Sequence, residues 1–141
     1  MKTYKSKFGY RMVGFVTLIL GLIISTLVFN NEPFGAFLFV GGISIVVYAV
    51  VLYLNFSTVY IIDKGILTVK CGIFYLKRFD ISKIKSINKT GNIIASPAPS
   101  MDRIALTYGE YDVIILSPKN KMDFARELTR INPAIKNKLL D

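Results

Sequence analysis

The chain contains no histidine, and that absence removes much of hydrolytic and metal chemistry before any motif is sought. Ser-His-Asp triads, Cys-His pairs, histidine metal sites and histidine general bases are all excluded. The one cysteine, Cys71, falls at a turn signal beside a hydrophobic strand pattern, which reads as a packed thiol rather than a nucleophile. A single cysteine also rules out a disulfide framework. Ser82, Ser100 and Ser117 have the bare ingredients of a Ser–Lys dyad, but in a Lys-rich chain such pairs arise by chance. Glu110 and Asp112 share a face if their segment is a strand. Beside Gly109 they are accounted for by turn chemistry, and two carboxylates alone do not make a metal site. Gly41-Gly42 lies inside an apolar run, so no glycine loop is available to cradle phosphate. The expectation is a non-enzyme with no cofactor and no metal.

Positive charge is the stronger signal. The chain carries 18 Lys+Arg against 9 Asp+Glu, a formal net charge of +9. Lys77, Arg78, Lys83, Lys85 and Lys89 fall within thirteen residues. On one surface they would attract anions, and for a domain tethered to a bilayer the nearest anions are lipid headgroups. The plainer account is that they solvate a small domain. The run is not interleaved with the stacking aromatics of a single-strand binder, so nucleic acid is not an expected partner. Asp102 and Arg103 follow a long irregular stretch. They either order that loop through ion-pair and backbone contacts or form the rim of a groove for a ligand or protein partner.

What must position these residues is unevenly built. Residues 12–29 and 34–54 are two uncharged, apolar runs, each near the roughly 20 residues needed to span about 30 Å of hydrocarbon. Asn30-Asn31-Glu32-Pro33 joins them as a short polar turn, with Pro33 suited to the first turn of the second helix. Lys2, Lys5, Lys7 and Arg11 precede the first run, 14 Lys/Arg follow the second, and the connector has none. The positive-inside rule then expects both termini in the cytoplasm and only the connector outside, with Tyr10, Phe29, Phe34 and Tyr53 at the two interfaces. Neither run holds an ionisable residue, which argues against an ion pathway. Gly21, Ser25, Gly41, Gly42 and Ala49 are small surfaces for helix packing, or simply the glycine usage of membrane helices. The organisation is a basic leader (1–11), a two-helix hairpin (12–54) and a cytoplasmic domain (55–141).

That domain reads as short strands closed by one helix. Residues 58–62 form a β-branched and aromatic run. Asp63-Lys64-Gly65 is a three-residue hairpin signal, and Ile66-Leu67-Thr68-Val69 reads as the return strand. Cys71-Gly72 marks a turn before a strand at 74–79. Ile81, Ile84 and Ile87 repeat every three residues, as in a helical turn joined to a strand. Residues 88–100, with Gly91, Asn92, Pro97 and Pro99, are irregular. Ile104, Leu106 and Tyr108 alternate, Gly109-Glu110 turns, and 113–116 is a buried strand. Ser117-Pro118 reads as the cap and first position of a helix whose Phe124, Leu128 and Ile131 form an apolar stripe, ended by Asn132-Pro133. The tail holds Ile135, Leu139 and Leu140 and adds at most a short turn. The fold class is α+β.

The ordered run of these segments resembles the YyaB-like bacterial PH domain over about residues 57–135. The matching residues are Tyr60-Ile61-Ile62-Asp63-Lys64-Gly65-Ile66-Leu67, Phe79-Asp80-Ile81 with Ile84-Lys85-Ser86-Ile87, Ser100-Met101-Asp102-Arg103-Ile104, and Ile115-Leu116-Ser117-Pro118-Lys119. Tyr4-Lys5-Ser6-Lys7 before a two-helix hairpin is similar to other members too. The resemblance implies a bent, seven-stranded antiparallel sheet or partly open barrel capped by the C-terminal helix, and a recognition module without catalytic residues. It names no ligand. The function expected is a membrane-anchored adaptor or binding module. Self-immunity against a membrane-active peptide is the alternative by analogy, and a Ser–Lys membrane hydrolase is weaker still.

Overall fold

The computed structural model describes residues 1–92 and 98–139, so the readings that involve Pro97 and Leu140 lie outside the described residues. The two apolar runs form α1 (Tyr10–Phe29) and α2 (Phe34–Ser57), about 30 Å and 36 Å long at 1.5 Å per residue. Both are long and apolar enough to cross a membrane, and both stand almost wholly outside the packed core. Pro33 takes an extended conformation as the N-cap of α2, one position earlier than expected. Gly21, Gly41 and Gly42 meet open space where a side chain would sit, so they are not what holds α1 to α2.

Among the described residues, eight strands make two sheets. The first is ordered β1 (Lys2–Lys5), β2 (Thr58–Asp63), β3 (Ile66–Cys71), β4 (Tyr75–Asp80), antiparallel throughout. A single 3₁₀ turn (Ile81–Lys83) leads into the second, ordered β7 (Asp112–Leu116), β6 (Arg103–Tyr108), β5 (Ile84–Thr90), β8 (Lys136–Asn137). Among the described residues, only β8 runs parallel to its neighbour, and the two sheets do not close into a barrel. One core joins them: Tyr60, Leu67 and Val69 from the first sheet, Ile87, Ile104, Leu106 and Leu116 from the second. Phe124, Ala125 and Leu128 of α3 (Lys121–Ile131) cover it.

Several sequence expectations need correction. The turn after β2 has two residues, not three: Lys64 (φ 46°) and Gly65 (φ 78°) both lie in the left-handed region, and Asp63 pairs directly with Ile66. The irregular stretch begins later, because Asn88, Lys89 and Thr90 pair with Ala105, Ile104 and Arg103. The helix starts at Lys121 rather than Pro118. Asn120 is its cap, accepting from the Asp123 N–H, while Ser117 and Lys119 pair with the N-terminal segment instead. Ile131 stays partly exposed, and Ile135 joins the core in its place.

The largest departure is at the N-terminus. Lys2–Lys5 is a strand, paired with β2 from Lys2↔Ile62 to Lys5↔Val59. The chain therefore starts one sheet, leaves through both helices and returns to complete it. Alternation places Tyr4 edge-on to Phe124, with ring centroids 5.2 Å apart.

Candidate functional site

The strand register sets one end of the domain against the helices. α2 passes into β2 without a connecting residue, Ser57 to Thr58. The Gly9 N–H donates to Asn55 Oδ1 at 2.8 Å, tying the start of α1 to the last turns of α2. A Cβ on Gly9 would lie 2.1 Å from the Pro99 carbonyl oxygen, so glycine is required there by contact, although its φ of −86° is ordinary. Behind this joint is a buried polar knot. Ser6 and Ser117 hydroxyls are 2.9 Å apart, the Ser117 N–H donates to the Tyr60 hydroxyl at 3.1 Å, and the Lys7 N–H donates to the Ser117 carbonyl at 2.7 Å. Burial pushes the Tyr60 phenol above its ordinary pKa, so it stays neutral and able to donate. Four segments distant in sequence are thus fixed to one another where the helices leave the domain.

At that end lies an open recess of about 470 Å³, whose cations are Lys7, Arg11 and Lys89. Phe8, Tyr10 and Met101 form its apolar walls, and Asp102 is its acid. The Asp102 carboxylate is held by Lys7 at 2.8 Å and Lys121 at 2.5 Å. Hydrogen bonds from Lys121 and Lys7 set its pKa below the ordinary carboxylate value. Two ammonium groups therefore satisfy one carboxylate. Arg11 and Lys89 have no ion pair among the described residues, which leaves the recess net positive.

Of the cations singled out in the sequence, Lys89 is the one the fold brings to this recess. Lys77 and Arg78 are successive residues of β4 and so point to opposite faces, with the Lys77 ammonium 5.9 Å from the Tyr75 ring centroid. Lys83 and Lys85 lie toward the far end of β5, where Lys85 borders a separate hollow with Asn132 and Lys136. All five are exposed. Asp102 is at the recess. Arg103 is buried, with Nε donating to the Ser100 carbonyl at 2.8 Å and Nη1 to the Asn92 carbonyl at 2.9 Å, so its guanidinium ties down both ends of the irregular stretch.

The serines are engaged locally. Ser82 donates to Asp80, Ser100 accepts from the Asp102 N–H, and Ser117 belongs to the knot. The Cys71 thiol accepts from Thr58 Oγ1 at 3.2 Å. Sequence reasoning missed Lys7 and Arg11 as site residues. They counted only as orientation signals, and nothing in a basic leader announces that its far end is a β-strand. The β-prone pair Thr3-Tyr4 was the available, weak cue.

A family model described as "Bacterial PH domain" matches residues 58–132, just over half of the chain, from the first residue of β2 to the cap that ends α3. Comparison with curated proteins and with solved structures gave no match.

Proposed function

The chain belongs to the bacterial PH domain family, and from that premise we propose that it is a membrane-anchored, non-catalytic binding module whose basic recess takes the phosphate of an anionic lipid. In this reading α1 and α2 span the cytoplasmic membrane, both termini and the domain lie on its inner face, and only the connector at 30–33 is outside. In this reading the protein is of the YyaB-like branch, which the resemblance of residues 57–135 supports. PH domains are generally binding modules without catalysis, which fits serines and a cysteine engaged in local contacts.

The observation that carries this reading is the recess itself. Arg11 and Lys89 converge where the helices leave the domain, and Phe8, Tyr10 and Met101 supply apolar walls beside them. A lipid phosphate at headgroup level would meet the cations while its acyl chains remain in the bilayer. Because α2 enters β2 without a linker, the recess stands at a fixed height above the hydrocarbon rather than on a tether.

The test uses the full chain in detergent with soluble short-chain phosphatidylglycerol or phosphatidylcholine as probe. We expect the acidic lipid to bind more tightly, with affinity falling as salt rises. A basic residue beside an acidic lipid surface contributes about 1 kcal/mol, so Arg11→Gln with Lys89→Gln should weaken binding roughly 30-fold. Lys83→Gln with Lys85→Gln should change it little. Equal affinity for both lipids, or an unaffected double variant, would remove the lipid assignment and leave a protein partner as the recess's occupant.

A further inference from the structure

A second feature at the same end is apolar rather than charged. Ile73 and Phe74, in the turn between β3 and β4, are 81% and 73% exposed, and Leu76 follows at 60%. Three large apolar side chains at the tip of one hairpin are unusual on a water-facing surface. Their position is fixed by α2. The Gly72 N–H donates to the Ser57 carbonyl at 3.1 Å, and Gly72, at φ 59°, lies so close to Tyr53 that a Cβ would come within 2.8 Å of the ring. The tip is therefore level with the last turn of α2, at the height where a membrane helix places its interfacial tyrosine. Lys70 lies directly across from Leu76 and Lys77 across from Val69, so charge begins level with Leu76, beyond Ile73 and Phe74. Near the same end of α2, Phe8 packs at a tilt against Tyr10 (4.7 Å) and Phe56 (5.3 Å).

We propose that the β3–β4 tip is a membrane wedge: Ile73, Phe74 and Leu76 insert into the interfacial layer of the bilayer that α1 and α2 span. The inference rests on the reading of those helices as membrane spans. What covers the tip is settled by continuity, because it is bonded to the end of a helix whose exposed surface is apolar along its length. With the tip inserted, the domain gains a second attachment to the bilayer beside the helices, and the recess stays at headgroup level.

Single cysteines introduced in a Cys71→Ser background test this in the full chain, reconstituted in phosphatidylcholine–phosphatidylglycerol vesicles. Ile73→Cys, Phe74→Cys, Phe15→Cys and Tyr111→Cys are each labelled with a fluorophore and exposed to lipids carrying spin labels. Phe15 lies in α1, and Tyr111 is at the β6–β7 turn, 92% exposed at the far end of the domain. We expect shallow spin labels to remove most of the fluorescence at 73 and 74, deep ones to remove it at 15, and neither to affect 111. Quenching at 15 with probes at 73 and 74 as bright as at 111 would overturn the wedge while leaving the spans intact. No quenching at 15 would overturn the spans and the wedge together.

Discussion

A fragment of residues 57–141 will not fold with the stability of the domain in the whole chain, although it contains the entire family match. It lacks β1, whose four residues pair with β2. It also loses the Tyr4 ring from Phe124, the Ser6 hydroxyl from Ser117, and the Lys2 ammonium at 2.7 Å from Glu127. Apolar burial and buried hydrogen bonds of this extent are worth about 3–6 kcal/mol. A domain of this size has only about 4–13 kcal/mol in total. The fragment should melt early and broadly or aggregate through the exposed edge of β2. Fusing residues 1–8 to residue 57 through a short Gly/Ser linker should restore a cooperative transition, because the Ser6 N–H already donates to the Thr58 carbonyl at 3.0 Å. Equal melting temperatures with and without residues 1–8 would show that β1 is dispensable.

The second large effect is at the centre of the core. Phe124 is fully buried and meets both Tyr4 and Tyr60, the latter at 6.0 Å between centroids. Phe124→Ala should cost about 3–5 kcal/mol, since the cavity is walled by two strands and cannot collapse. That corresponds to a fall in melting temperature of more than about 10 °C for a domain this small. Ile131→Ala, one turn past Leu128 and partly exposed, should cost under about 1 kcal/mol. Near-ultraviolet circular dichroism of the tyrosines in detergent would separate these cases, because far-ultraviolet signal from α1 and α2 would mask loss of the domain. A small shift for Phe124→Ala would contradict the assignment of one shared core.

How far the fold could be read from the sequence depended on how local each signal was. The apolar runs, the alternation in 58–69 and 104–108, and the Gly109 turn are set by neighbouring residues, and all appear in the structure. The 3₁₀ turn running into β5 was visible as the three-residue spacing of Ile81, Ile84 and Ile87. The leader strand was not, because its partner is nearly sixty residues away across two helices and four residues carry little periodicity. The helix start was misplaced for the same reason. Ser117-Pro118 is a good local cap, but the long-range pairing of Ser6 with Pro118 takes that backbone. For the site, the basic run named Lys89, but lysine spacing says nothing about which strand end meets the helices. Arg11 looked like a flanking charge until the fold set it beside β5.

The measurement closest to the central claim is the orientation of the domain in a living bacterium. Glu32→Cys in the connector and Tyr111→Cys in the domain, each in the Cys71→Ser background, are exposed to a membrane-impermeant maleimide. Glu32→Cys should label in intact cells and Tyr111→Cys only after permeabilisation. Labelling of Tyr111→Cys in intact cells would put the domain outside, away from the anionic inner surface, and the proposed function would fall with it.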